Sequence, residues 1–325
     1  MGNEVLALPV SLRGRVFTVE AAVAAGVKRG GLYRRSDVKQ VARGLHAPLE
    51  LEVNPGIIAG ALCRQFPQAW VSHASAADLH GIELAEELHS PVPHLTVRTA
   101  RDLVRRSGVE CVVDPFLGVG VTSLSGVSVS APERIWMELA APISQRRAVR
   151  LGDHLVRVPR EKFEGRSTPY VQVAQLHAAV AELSEAMEGP LPRTASMQEW
   201  ERRRQVLCNL QAAVGLVRVG ADSGPETDLR LAIGRAGLPE PELQIALMED
   251  GRILSTADLG YSGRKIAIHY DGSPHLSADG HMRDMSRDNG FISAGWTNLR
   301  FGLRDYREGF RTAVGQIRAA IERRF

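Results

Sequence analysis

The chain has 325 residues, of which 44% are hydrophobic and 24% are charged, as in ordinary globular proteins. This length exceeds what one hydrophobic core usually organises, so the sequence predicts two or three domains. Aromatic residues are only 5% of the chain, which argues against a protein that binds single-stranded nucleic acid mainly by base stacking. The net charge of +3 does not by itself indicate a nucleic-acid partner, so the positions of the basic residues carry more information.

The cysteines and the basic residues narrow the class of protein further. The three cysteines, Cys63, Cys111 and Cys208, lie far apart, which indicates neither a structural zinc site nor a disulfide framework. Only four of the forty basic residues are lysine, a bias typical of a high-GC genome, although arginine also suits bidentate phosphate contacts. The N-terminus lacks a signal-peptide pattern, and no apolar run has the length of a membrane span. We therefore expect a soluble, cytoplasmic protein without a membrane partner.

The N-terminal segment, residues 1–52, has the pattern of a winged helix-turn-helix DNA-binding domain. Thr18 predicts the N-cap of a helix ending near Gly26, a second helix is predicted from Lys28 to about Val38, and residues 41–47 predict a hairpin or wing. A small helical cap with a solvated basic face fits the pattern equally well. Six basic residues in its second half are the predicted DNA contacts: Lys28, Arg29, Arg34, Arg35, Lys39 and Arg43.

The middle segment, residues 53–160, alternates helical and strand patterns and is predicted as an α+β domain. Its clearest helix is SAPERIWMELA, for which Ser130 is the predicted N-cap and Glu133, Arg134 and Glu138 are the predicted exposed side chains. Residues 161–222 are predicted as a helical linker. The histidines of the middle segment lack metal-ligand spacing and are interpreted as structural or surface residues: His73, His80, His89 and His94.

The C-terminal segment, residues 223–325, predicts an α/β layer with one mixed sheet. The helix SGPETDLRLAIGRAGL precedes three strands, ELQIALM, ILSTADLGY and RKIAIHY. A polar helix around residues 279–293 follows, then the strand WTNLRFGL and a final helix at about 305–323. The fold class is therefore α/β and multidomain.

Carboxylates and imidazoles concentrate in this last segment. Glu226 lies in the first turn of its opening helix, Asp258 lies in the second strand, and His269, Asp271 and His275 follow the third strand. If the second and third strands pair antiparallel, Asp258 approaches the third strand, and the helix carrying Glu226 can cover the same edge. Such a group is typical of a Mg²⁺ or mixed-ligand site, with Asp258, His269 and Glu226 as the metal ligands.

A metal held there would polarise a phosphodiester and activate a water for in-line attack. Arg283 and Arg287, in the next predicted helix, are the expected phosphate contacts. A purely structural interpretation is also open. Asp258 would then cap a turn, His275 would bond a backbone carbonyl, and Asp271 with Gly272 would form a common turn pair.

Several stretches carry a family resemblance. PETDLRLAIGRAGLPEPELQ, ADLGYSGRKIAIHYDGSPH and RDMSRDNGFISAGWTNLRF resemble the very-short-patch-repair-like nuclease domain of the PD-(D/E)XK, or restriction-endonuclease-like, superfamily. FTVEAAVAAGVKRGGLYRR, ARGLHA, VSHASAADLHGIEL and SAPERIWMELA resemble the winged helix and following domain of AbiEi-like antitoxins of type IV toxin–antitoxin systems. This domain order is common in actinobacterial proteins. The resemblance covers about residues 15–325 and is weakest over 161–222.

The resemblance implies roles for the candidate residues. Glu226 matches the helix carboxylate, Asp258 the central metal-binding aspartate, and Asp271 the aspartate of the family's E-Y-D-G run. His275 matches the histidine after that turn, an acid, base or phosphate contact. This sequence departs from the family at His269, where glutamate is usual. A neutral imidazole lowers the negative charge of the site and weakens Mg²⁺ binding relative to softer metals. The very-short-patch enzymes, however, also lack a carboxylate at the equivalent strand position and use nearby histidines.

Two functions follow as hypotheses, so the sequence leaves open whether the protein is an enzyme. The first is a metal-dependent DNA endonuclease, using Mg²⁺ or Mn²⁺ and targeted by its winged helix. The second is an AbiEi-like antitoxin or transcriptional regulator whose nuclease-like domain is catalytically silent. DNA is the expected partner in both. A nucleotidyltransferase-like toxin encoded nearby is the further partner that the second would have.

Overall fold

The computed structural model describes residues 7–188, 196–249, 251–272 and 290–323. The chain has a mixed α/β structure and divides into two compact units. The first unit comprises Met1–Pro142 with Ala178–Cys208, and the second comprises Ile143–His177 with Asn209–Phe325. Two long helices, α8 (Val173–Glu188) and α9 (Met197–Val214), contribute residues to both units. The segment predicted as a linker therefore supplies residues to each of them.

The N-terminal part of the first unit is a small sheet with two short helices. Its elements are β1 (Phe17–Thr18), α1 (Val19–Ala24), α2 (Arg29–Leu32), β2 (Val38–Ala42) and β3 (Leu45–Pro48). The strands form an antiparallel sheet in the order β1-β3-β2. The predicted cap is confirmed, since the Thr18 hydroxyl accepts a 3.0 Å hydrogen bond from the N–H of Ala21. The hairpin predicted at residues 41–47 is confirmed as well.

The second predicted helix is much shorter than expected. Helix α2 ends at Leu32 after four residues, and Val38, the predicted end of that helix, begins strand β2 instead. Two of the four residues of α2, Gly30 and Gly31, are glycines, which disfavour helix extension because their backbone loses the most freedom on folding.

The middle part of the first unit is a five-stranded sheet with three helices. Its strands lie in the order β6-β5-β4-β8-β7, with β4 antiparallel to β5 and parallel to β8. The predicted mixture of helices and strands is present in this part, together with β7, which the sequence analysis did not predict. The elements are α3 (Pro55–Gln65), β4 (Ala69–Val71), α4 (His73–His80), β5 (His94–Val97), β6 (Glu110–Val113), β7 (Val121–Leu124), β8 (Val127–Ser130) and α5 (Pro132–Ala140).

The predicted exposure of α5 is wrong at two positions. Arg134 is fully buried and Glu138 is 2% exposed. The Arg134 guanidinium donates to Glu138 and to Asp114, each over 2.7 Å. Ser130 does not cap the helix either, because its hydroxyl donates to the Glu138 carboxylate over 2.9 Å. Periodicity alone could not reveal this arrangement, because the partner Asp114 lies in a loop and reaches Arg134 only in the folded chain.

The second unit is built around a four-stranded sheet. Strands β9 (Glu242–Glu249), β10 (Arg252–Tyr261) and β11 (Ile266–Asp271) form an antiparallel meander, and β12 (Thr297–Gly302) pairs parallel to β11. The predicted order of helix, three strands, strand and helix is confirmed. The flanking helices are α6 (Gln145–Val156), α7 (Glu161–Glu164), α10 (Gly224–Arg235), α11 (Leu303–Arg307) and α12 (Arg311–Arg323).

Two details of the second unit differ from the sequence prediction or lie outside the described residues. The final helix is interrupted, because Gly309 and Phe310 adopt positive φ angles of 65° and 61° that no right-handed helix contains. Of the polar helix predicted around 279–293, only residues 290–293 are described, and these are helical.

The core of the second unit lies between its sheet and helices α10 and α12. Leu229 and Ile233 of α10 and Ile317 of α12 pack with Ile268 and Phe301 of the sheet, and all five side chains are buried. This packing fixes the start of α10 beside the sheet.

No helix in the described part of the chain is long and apolar enough to cross a membrane.

The buried ion pairs of α5 generate a stability prediction. Substituting Arg134→Met leaves Glu138 and Asp114 without their shared cation in a buried site, and we expect the free energy of unfolding to fall by roughly 3–5 kcal/mol. Urea denaturation followed by the fluorescence of the buried Trp136 measures it. The matched control is Arg101→Met at an exposed position of the same unit. A loss for Arg134→Met as small as that of the control would contradict the interpretation.

Candidate functional site

The candidate site begins where strands β10 and β11 stop pairing. Their backbone register runs from Tyr261 opposite Ile266 to Leu259 opposite Ile268. One position further along, the register places Asp258 beside His269. At that point the Asp258 carboxylate accepts the backbone N–H of Tyr270 over 2.8 Å. The hydrogen bond from the Tyr270 N–H to the Asp258 side chain thus lies where the backbone pairing of the two strands ends. This bond fixes the position of the Asp258 carboxylate.

Close approach of the two strands depends on the glycine that follows. A Cβ atom at Gly260 would collide with the backbone carbonyl oxygen of Ile266 on β11 and would lie 3.0 Å from the Ile245 side chain. Only glycine therefore allows this approach, two residues from Asp258.

Glu226 is held at the first turn of α10 by a reciprocal cap. Ser223 is the N-cap residue and accepts the N–H of Glu226. The Glu226 carboxylate in turn accepts the Ser223 hydroxyl over 2.7 Å and the N–H of Asp222 over 2.9 Å. The contact is a variant of the capping box, because Glu226 accepts the N–H of the residue before the N-cap and not that of the N-cap itself. The Glu226 side chain is buried, with 6% of it exposed, and these hydrogen bonds hold it in a defined position.

The two predicted carboxylates influence each other electrostatically. Burial, and after it repulsion by the charge of Asp258, raise the pKa of Glu226 to about 7 against the opposing effect of the hydrogen bonds from Ser223 and Asp222. Repulsion between like charges contributes only when the groups are close. The structure therefore brings Glu226 and Asp258 together, as the sequence predicted for a helix covering this edge.

His269 and Asp271 lie on the same strand with different surroundings. His269 is buried, and its ring packs edge-on against Phe291 with the ring centroids 5.7 Å apart. The parallel register places it opposite Arg300 of β12. Asp271, at the end of β11, accepts a 3.1 Å hydrogen bond from Arg300. Asp271 therefore belongs to an ion pair between neighbouring strands.

Three predicted residues, His275, Arg283 and Arg287, lie outside the described residues. Within residues 7–188, 196–249, 251–272 and 290–323, no three His, Cys, Asp or Glu side chains are grouped closely enough to hold a metal ion.

A cluster that the sequence analysis did not predict lies beside Glu226. Asp228, two residues further along α10, is buried and accepts hydrogen bonds from both Arg146 and Arg150 of α6. Arg150 also donates to the Tyr306 hydroxyl over 2.8 Å, and this hydrogen bond lowers the pKa of Tyr306. Its side chain lies against Gly224, the first residue of α10. Two guanidinium groups thus share one carboxylate next to the helix start. The spacing of the two arginines, i and i+4, was the signal available in the sequence.

Some of the predicted DNA-contacting side chains of the N-terminal segment are exposed, and others form hydrogen bonds within the protein. Lys28, Arg29, Arg34 and Arg43 are exposed. Arg35, in contrast, donates to the Asp37 carboxylate over 2.8 Å. Lys39 donates to the carbonyl of Leu49 over 3.0 Å. The exposed four carry positive charge that a phosphate backbone can reach.

Comparison with known proteins gives no family assignment. No protein-family model matches the chain, and no match is found among curated proteins.

The raised pKa of Glu226 predicts a pH dependence of stability. The folded protein holds a proton on Glu226 up to about pH 7, whereas an unfolded chain loses it near pH 4.3. Folding therefore takes up a proton between these values, and stability falls as pH rises through this window. We expect the unfolding free energy of the wild type, relative to Glu226→Gln, to fall by roughly 3 kcal/mol between pH 4.5 and 7.5.

Urea denaturation at a series of pH values checks this expectation. The control is Glu249→Gln, at an exposed position of the same unit, for which the difference from wild type should stay flat. A flat difference for Glu226→Gln would show that the buried carboxylate does not retain a proton in the folded protein.

Proposed function

We propose that the protein is a DNA-binding, metal-dependent endonuclease that hydrolyses phosphodiester bonds at the site of Glu226 and Asp258. The observation that carries the proposal is that the buried carboxylate of Glu226 lies close enough to Asp258 for the charge of Asp258 to raise its pKa, in addition to the larger effect of burial. Holding two carboxylates together is costly unless a cation or a proton compensates the charge. Oxygen ligands of this kind suit Mg²⁺ or Mn²⁺.

Glu226 and Asp258 fit such a cation, because its positive charge would offset the repulsion between the two carboxylates. Glu226 and Asp258 would hold it, and when bound it would polarise the phosphodiester and lower the pKa of a water. The Tyr270 N–H keeps one oxygen of Asp258 oriented, and the hydrogen bonds from Ser223 and Asp222 do the same for Glu226. With a pKa near 7, Glu226 can gain or release a proton at neutral pH.

The order of elements in the second unit supports this proposal. A helix with a carboxylate in its first turn precedes a three-stranded antiparallel meander, and a fourth strand returns parallel to the third. That is the order expected from the resemblance to PD-(D/E)XK nucleases.

DNA recruitment is assigned to the N-terminal sheet and helices as a winged helix. The exposed Lys28, Arg29, Arg34 and Arg43 supply the charge that phosphate contacts require.

One observation favours the second function, an AbiEi-like regulator with a catalytically silent nuclease-like domain. His269, which replaces the glutamate usual in the resembling family, is buried against Phe291. A site with one fewer carboxylate binds Mg²⁺ less tightly. In this alternative the second unit would serve as a platform for DNA or for a nucleotidyltransferase-like toxin.

Plasmid cleavage distinguishes the two functions. We expect Mg²⁺- or Mn²⁺-dependent nicking of supercoiled DNA by the wild type. Asp258→Asn, which keeps an oxygen acceptor for the Tyr270 N–H, should lower the rate by at least about 100-fold because it removes a ligand charge. Glu249→Gln, remote from both carboxylates in sequence and exposed, should cut like the wild type. Absence of cutting with either metal, together with retained DNA binding, would support the regulator instead.

The salt dependence of binding tests the DNA interface independently of cleavage. Replacing Arg29 and Arg34 by glutamate should weaken duplex binding and reduce the slope of log K against log salt by about 2, since each lost phosphate contact changes it by about 0.9. Fluorescence anisotropy with a labelled duplex measures both quantities. Replacing the exposed Arg101 and Arg105 by glutamate is the matched control. Equal slopes for the two double variants would place the interface elsewhere.

A further inference from the structure

A cavity of 360 Å³ lies in the second unit between α6 and the C-terminal half of α10. Three leucines form its apolar walls: Leu216, Leu231 and Leu238. Its polar lining is dominated by Arg146, Arg230 and Arg235. Small-molecule sites combine such apolar walls with a few polar groups, and this volume lies within their usual range of about 300–1,000 Å³.

Arg230 lines this cavity, but its side chain is almost fully buried within the protein. Its side chain is 3% exposed and donates to the buried Asp153 carboxylate over 2.8 Å. A terminal nitrogen also lies 3.6 Å from Glu240. The Nε–H, however, is buried and has no hydrogen-bond partner within the part of the chain that the structure describes. Because that nitrogen is closed off from solvent, a ligand in the cavity would meet the more exposed guanidinium groups of Arg146 and Arg235 instead.

The charges around the cavity leave an excess of positive groups. Arg146 shares Asp228 with Arg150, and Arg218 shares Glu240 with Arg230. Arg235 is exposed and donates to the carbonyl of Leu231 in its own helix. The residues that line the cavity itself include three guanidinium groups, Arg146, Arg230 and Arg235, and one carboxylate, Glu240. An anion would balance the excess.

We propose that this cavity binds a small organic anion whose phosphate or carboxylate group faces Arg146 and Arg235 and whose apolar part contacts the three leucines. Guanidinium groups bind either head group in a bidentate manner. The volume suits a ligand of roughly mononucleotide size. The site goes beyond the proposed nuclease function, because neither Glu226 nor Asp258 lines it.

Gly234 offers a direct way to close the cavity without disturbing the fold. It lines the cavity on α10, and a Cβ atom built there meets nothing within 4 Å. Gly234→Phe therefore places a ring in open space at a helical position where glycine is unfavourable. Gly315 of α12 is also helical with open space around its Cβ, so Gly315→Phe is the matched control.

Isothermal titration calorimetry with dAMP and octanoate tests the proposal, because the two probes carry a phosphate and a carboxylate head. We expect at least one of them to bind with a sub-millimolar Kd. Gly234→Phe should weaken that binding at least about tenfold, and Arg235→Gln should weaken it by a smaller factor. Gly315→Phe and Asp258→Asn should bind as the wild type does.

Uncharged adenosine and inorganic phosphate complete the test. Both should bind at least about tenfold more weakly than the preferred probe, since each supplies only half of the proposed contacts. The proposal is overturned if neither anion binds at millimolar concentration, if phosphate alone binds equally well, or if Gly234→Phe keeps full affinity with an unchanged Tm. Loss of binding in Asp258→Asn, with Gly234→Phe unaffected, would assign the ligand to the carboxylate site instead.

Discussion

The hydrogen bond from the Tyr270 N–H to Asp258 determines how the site of the second unit is built. It holds a half-buried carboxylate at the point where two antiparallel strands separate, and the capped start of α10 brings the buried Glu226 near it. Neither strand nor helix alone would create the repulsion between the two groups. Packing of α10 against the sheet keeps the two carboxylates close to each other. The hydrophobic core thereby stabilises an electrostatically unfavourable arrangement. Such arrangements are typical of functional sites.

Arginine carries much of the internal electrostatics of this chain. Arg134 in the first unit and Arg230 in the second are both almost fully buried, and each reaches two carboxylates from different parts of the sequence. The rigid, multiply donating guanidinium suits this bridging role better than the single ammonium of lysine. The scarcity of lysine therefore has a structural counterpart, whatever its genomic origin. Breaking one such bridge leaves carboxylates buried without compensation.

Much of the fold could be predicted because local patterns agree with tertiary packing. The strand alternation around Ile266 and Ile268 and the capped helix at Ser223 are short-range features, and both lie where the sequence predicted them. The proximity of Glu226 and Asp258 followed from the same topology. The prediction of a long second helix was wrong because two glycines and the turn that holds the Arg35–Asp37 ion pair interrupt it. The predicted exposure of Arg134 was wrong because its partner Asp114 is distant in sequence. The cluster around Asp228 was missed for that reason as well, since α6 and α10 are far apart along the chain. The i, i+4 spacing of Arg146 and Arg150 was visible in the sequence, but it does not identify their distant partner Asp228.

Helix α10 links two chemically different places. Its first turn holds Glu226, and its last turns supply Gly234 and Arg235 to the cavity wall. At a rise of 1.5 Å per residue, these ends are only roughly 12 Å apart along one hydrogen-bonded rod. A rod transmits axial displacement with little internal deformation, so a shift at either end would be shared by the other. Leu229 and Ile233 are buried positions of α10 between Glu226 and Gly234. A substitution at either of them that shifts the helix would therefore alter both places.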